Sequence, residues 1–107
     1  MSDWISVSRL DALAKDSPLA VELGDEHIMI ARISDDDVVA LEDLCTHDGG
    51  EISCGCIVDV AIECPRHGAK FCLKTGDVLA PPAYEGLHRF PVKLEDGVVW
   101  VRDDRWD

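Results

Sequence analysis

No apolar run in this 107-residue chain is long enough to cross a bilayer as a helix, and Met1-Ser2-Asp3-Trp4 begins neither a basic stretch nor an apolar one. Neither a membrane span nor a secretory signal is expected, and the reading is a cytoplasmic protein. Basic residues are scarce: 10 Lys and Arg against 22 Asp and Glu leave a formal charge of −12. Such a surface repels a phosphate backbone and an anionic membrane, so nucleic acid and membrane are excluded as partners. The acidity either steers the chain toward basic patches on partner proteins or serves solubility alone. Internal repeats, low-complexity tracts and helical periodicity of useful length are also lacking. The length fits a single domain, residues 1–107, able to bury a modest core without disulfides. The cysteine count is odd, at five, and in a reducing cytosol it points to metal ligation or buried thiols before disulfides.

What remains is a chain of short strands. Residues 4–7, 19–23, 27–33 and 38–41 carry strand patterns, and the stretch 9–13 is too short for an independent helix. Gly24-Asp25-Glu26 and residues 34–37 supply turns. Further on, residues 56–60, 61–63, 70–73 and 78–79 read as short strands, with Lys74-Thr75-Gly76-Asp77 as a tight turn. Residues 87–94 and 98–102 flank Glu95-Asp96-Gly97, whose Asp-Gly pair is the strongest hairpin signal present. Pro81-Pro82 cannot donate to a ladder and marks an extended loop. The class is all-β.

Chemistry concentrates in two loops, Cys45-Thr46-His47 and Cys64-Pro65-Arg66-His67, separated by sixteen residues. Two thiols and two imidazoles could hold iron or zinc. A zinc finger usually takes its cysteines from one knuckle and its histidines from a helix, whereas each loop here mixes the two. Mixing favours iron and suits a two-iron cluster in which one metal takes both thiolates and the other both imidazoles. Asp48-Gly49-Gly50 gives the backbone freedom to bend beside the first loop. His27, among Ile28, Met29 and Ile30, reads as an ordinary strand residue and not a ligand.

The pattern Cys45, His47, Cys64, His67, with Gly68-Ala69-Lys70-Phe71, Thr75-Gly76 and Pro81-Pro82, resembles the Rieske [2Fe-2S] proteins, and among them the small ferredoxins of bacterial ring-hydroxylating dioxygenases. The resemblance implies an antiparallel β sandwich with a small cluster-binding subdomain of two hairpin-like loops, about residues 44–83. It implies one [2Fe-2S] cluster per chain, with Cys45 and Cys64 on the inner iron and His47 and His67 on the outer. Pro81-Pro82 becomes a loop covering the cluster. The implied function is a soluble electron carrier in aromatic hydrocarbon catabolism, not an enzyme itself but a monomer passing single electrons from a flavin-dependent NAD(P)H reductase to a terminal oxygenase.

High-potential members carry a disulfide cysteine in each ligand loop and two hydroxyl donors after the second. Here Gly50, Arg66, Ala69 and Phe71 stand at those places. The potential is therefore expected near the bottom of the range of roughly −150 to +300 mV. Two alternatives stand beside this reading: the small Rieske-like subunit of assimilatory nitrite reductase, and a zinc-binding interaction module. Cys54, Cys56 and Cys72 read as small buried residues, since C-x-C makes a strained ring if oxidised. Trp4, Trp100 and Trp106 read as packing.

Overall fold

Two central strands decide the architecture. The computed structural model describes all residues except 1–3, 16, 25, 36, 45–49, 65–67, 82–84 and 105–107. In it β3 (Glu26–Ser34) turns Ile28 and Ile30 into one core cluster and Met29 and Ala31 into another. β4 (Asp37–Glu42) divides likewise, Val38 and Ala40 against Val39 and Leu41. All eight side chains are buried. A strand covered on both faces reads as a continuous apolar run and loses the polar–apolar alternation of a half-exposed one. β2 (Leu19–Leu23) and β9 (Arg89–Phe90) form the edges of this middle sheet, whose order is β2-β3-β4-β9.

Each face of the middle sheet meets another sheet. On one side β1 (Ile5–Arg9), β11 (Val98–Val101) and β10 (Val92–Glu95), in the order β1-β11-β10, bring Val99 and Val101 against Ile28, Ile30, Ala40 and Phe90. On the other lie β5 (Cys56–Val58), β6 (Ala61–Glu63), β7 (Lys70–Cys72) and β8 (Val78–Ala80), paired in sequence order. The cross-strand partners Ile62 and Phe71 of that sheet pack with Met29, Val39 and Leu41. Every named strand pair is antiparallel, as expected of an all-β sandwich.

Several boundaries differ from the sequence reading, most instructively at residues 87–94. That stretch is two strands, because Pro91 has no N–H for a ladder and lets the chain change sheets. Ahead of it Phe90 pairs with Ala40 of β4; behind it Val92 pairs with Val101 of β11. The first strand runs Ile5–Arg9, later than residues 4–7, and a single 3₁₀ turn, Leu10–Ala12, follows it. Arg32 anchors this turn, its guanidinium donating to the carbonyls of Leu13 at 3.1 Å and Asp35 at 2.8 Å. The strand expected over 56–60 stops at Val58, since Asp59 takes a left-handed φ of 56°. The Asp96-Gly97 hairpin forms as expected, with φ of 54° and 73°.

Candidate metal centre

Both ligand loops are rooted in one buried cluster. The first leaves the end of β4 and returns at Ile52, which is fully buried; the second joins β6 to β7 and is flanked by Cys64 and Ala69, at 1% and 0% exposure. Ile52, Cys64 and Ala69 belong to the same cluster as Met29, Leu41 and Phe71. Two loops distant in sequence are thus held side by side at their bases by hydrophobic packing. Of the four expected ligands, Cys64 is described; Cys45, His47 and His67 lie outside the described residues.

Hydrogen bonds close each base. Cys64 N–H donates to the Ala69 carbonyl at 2.7 Å, and Gly68 N–H donates to the Cys64 carbonyl at 3.1 Å, so the chain is paired on either side of positions 65–67. Gly68 has φ of +77° with open space where a Cβ would stand, so glycine serves conformation there. At the first loop Asp43 N–H donates to the His27 carbonyl at 3.1 Å, and the Asp43 carboxylate reaches across to the returning chain. Its Oδ1 accepts the Ile52 and Ser53 amides, both at 2.8 Å, and its Oδ2 accepts the Ser53 hydroxyl at 2.7 Å.

A third loop is braced against the same sheet. Leu87 N–H donates to the Gly76 carbonyl at 2.8 Å. A side chain at Gly76 would collide with the Leu87 carbonyl oxygen. Just beyond, His88 N–H donates to Glu42 Oε1 at 2.7 Å, and its Nε2 lies 2.8 Å from Asp104 Oδ1. The third loop includes Pro81, which is exposed, while Pro82 falls outside the described residues. Its expected place over a cluster therefore lies outside them too.

The one expected donor among the described residues fits an iron–sulfur cluster. Cys64 is an unoxidised thiol buried in hydrocarbon, as a sulfur ligand sheltered from water should be. Ala69 and Phe71, fully buried beside the second loop, present only hydrocarbon where hydroxyl donors were expected to be missing. His27 is exposed on β3, as read from the sequence.

The other cysteines need a correction. Cys54 and Cys56 are exposed and Cys72 is half-buried, so the small-buried-residue reading fails for the first two. Short strands explain it: β5 places only Ile57 toward the core, leaving Cys56 on the outer face. None of the three is in a disulfide. A hydrogen bond from the Thr75 side chain, helped by the Thr75 and Lys74 backbone and opposed by burial, holds the Cys72 thiol below its ordinary pKa.

Sequence reasoning missed Glu42 and Asp43. Nothing in the charge count distinguishes them from the other acidic residues, yet both act as internal acceptors. The available signal was position: they end an apolar strand immediately before a ligand loop.

Known proteins give the same picture. A ferredoxin subunit of anthranilate 1,2-dioxygenase from Burkholderia cepacia is 31% identical over 101 residues, 94% of this chain and 93% of that one. The ferredoxin of carbazole 1,9a-dioxygenase from Nocardioides aromaticivorans IC177 superposes with a TM-score of 0.92 at 27% identity, covering 96% of this chain and 100% of that one. A chain from a complex of reduced oxygenase and oxidised ferredoxin in carbazole 1,9a-dioxygenase gives 0.88 at 29% identity, covering 95% and 94%. Residues 3–91 match the Rieske [2Fe-2S] domain, whose defining cofactor is one such cluster, and with both loop roots gathered around a buried thiol the chain belongs to that family.

Proposed function

We propose that this chain is the ferredoxin of a ring-hydroxylating dioxygenase system, with Cys45, His47, Cys64 and His67 holding its cluster. In this reading it accepts single electrons from a flavin-dependent NAD(P)H reductase and delivers them to a terminal Rieske non-haem iron oxygenase, working as a cytoplasmic monomer. Residues about 44–83 form the cluster-binding part. The observation that carries it is the common root of the two loops: Ile52, Cys64 and Ala69 share one buried cluster, so each loop's Cys and His begin from neighbouring anchors.

When bound, the cluster supplies a one-electron couple. The chain's own residues do the rest. Cys64 is kept from water by Ile62, Phe71 and Leu73, and the backbone pair between residues 64 and 69 holds the two ends of the second loop together. Imidazoles in place of two thiolates lower the negative charge around the metals and raise the potential into the Rieske range. Their rings offer an exit for electrons toward a partner. Beside the first loop a depression is lined by His27, Leu44 and the exposed Glu26 and Glu51, whose carboxylates give that side an acidic rim suited to a basic partner surface.

Reconstituting electron flow tests the reading. Stopped-flow mixing with a flavin reductase and then with a terminal oxygenase is expected to show reduction and reoxidation of the ferredoxin, both lost on replacing His47 or His67 by Ala. A chain that purifies only in a stable complex with a nitrite reductase, and fails to shuttle between separate proteins, contradicts it.

A further inference from the structure

Asp43 is the one buried charged side chain among the described residues, at 5% exposure. A buried carboxylate is tolerated there because donors surround it, and the three it accepts all come from two consecutive residues on the far side of the first ligand loop. The carboxylate therefore joins position 43 directly to positions 52 and 53, and residues 44–51 close into a loop whose ends cannot drift apart. Its own position is set twice over. The Asp43 backbone donates to His27 of β3, and Ile52, which it holds, is fully buried in the cluster containing Cys64. The neighbouring Glu42 makes the matching bond to His88, so the end of β4 braces the first and third loops with two successive side chains.

We propose that Asp43 is the positioning residue of the first ligand loop: by clamping Ile52 and Ser53 it fixes the geometry at which Cys45 and His47 are presented to the metals. This rests on the reading of Cys45 and His47 as ligands. Asp43 touches no metal in this scheme. It acts through the loop, as partners behind metal ligands do when they set orientation, and their loss commonly weakens metal binding by about tenfold to a hundredfold. Removing the carboxylate also strands two amide donors at the loop root, one of them at fully buried Ile52, with no carboxylate to accept them.

The test uses the loaded protein in four variants, Asp43→Ala, Asp43→Asn, Ser53→Ala and Asp35→Asn. Three readouts are taken: the rate of cluster loss to a chelator, the electron paramagnetic resonance g-values of the reduced protein, and the midpoint potential. Asp43→Ala is expected to lose its cluster about tenfold to a hundredfold faster than wild type, with shifted g-values. Asp43→Asn keeps an oxygen acceptor for the two amides and offers an N–H to the Ser53 hydroxyl, so it restores most of the retention and the native g-values. Asp35→Asn, on the β3–β4 turn, leaves all three unchanged. Cluster retention, g-values and potential all at wild-type values in Asp43→Ala would overturn the proposal. Should Asp43→Ala fail to fold, Ser53→Ala decides: it removes one of the three bonds, so its cluster is lost faster than wild type by a smaller factor, and wild-type retention there overturns the proposal. Failure of the ligand assignment itself is visible separately, as a His47→Ala protein that keeps the wild-type spectrum.

Discussion

Ala69→Ser and Phe71→Tyr return one hydroxyl each to the inner side of the second loop. Both positions are fully buried in the cluster that contains Cys64. A hydroxyl there has no water to satisfy it, so it must donate to a protein or cluster acceptor or remain unpaired. The reduced cluster carries one more negative charge than the oxidised one, and a donor to its sulfur stabilises the reduced form more. A hydrogen bond to a charged acceptor is worth about 1.5 to 3 kcal/mol. If all of that fell on the reduced state, the midpoint would rise by about 65 to 130 mV, since a tenfold change in a one-electron equilibrium is about 59 mV. The real shift is smaller, because the oxidised cluster also accepts, and on the order of half that range is expected for each variant. The alternative outcome has a different signature. An unpaired buried hydroxyl leaves the potential alone and destabilises the fold by about 1 to 3 kcal/mol. Circular dichroism during a redox titration gives the midpoint, and urea unfolding of the same samples gives the stability. Variants that load their cluster, unfold at the wild-type urea concentration and show no rise in midpoint would refute the reasoning.

Other consequences are simpler to check. Gly76→Ala meets the Leu87 carbonyl at φ of +83°, whereas Gly97→Ala at φ of +73° meets nothing, so the first should unfold at clearly lower urea and the second should lose only about 1 kcal/mol. Electron transfer to the partners should slow as salt is added. Converting Asp48 and Glu51 to Asn and Gln should slow it further at low salt, whereas the same changes at Asp35 and Asp36 should do little; stopped-flow rates over a salt series give the comparison. Asp35 is already engaged by Lys15 at 3.1 Å, which holds its carboxyl below the ordinary range and leaves it less to offer a partner. Cys72 should form its thiolate, and be alkylated, at lower pH than an ordinary thiol. Thr75→Ala should move that inflection upward, as followed by mass spectrometry of the Cys72 peptide.

The features readable in advance were those set by local chemistry. Asp96-Gly97 announces a hairpin because few other pairs accept two positive φ values, and the apolar runs of β3 and β4 announce strands. That both faces of those strands would be covered depended on two further sheets, which no window of sequence around Ile28 or Val39 contains. Pro91 was visible as a residue that cannot join a ladder, yet its role in passing the chain from β4 to β11 is a property of three-dimensional pairing. The spacing of Cys and His singled out two loops, and the structure adds that the residues flanking them share one buried cluster. Their bracing was not legible, because Asp43 and Ser53 lie ten residues apart and an aspartate beside a loop looks the same whether it faces water or clamps a backbone. Exposure of Cys54 and Cys56 was missed for a related reason: cysteine is often buried, but Cys54 lies in a turn and the three-residue strand that follows has room for only one inward side chain.

The central claim is that two loops with a common root hold an iron–sulfur cluster, and metal analysis of the protein purified without chelators tests it most directly. Two irons and two acid-labile sulfides per chain are expected from the family to which it belongs. Stoichiometric zinc with no sulfide would contradict the account.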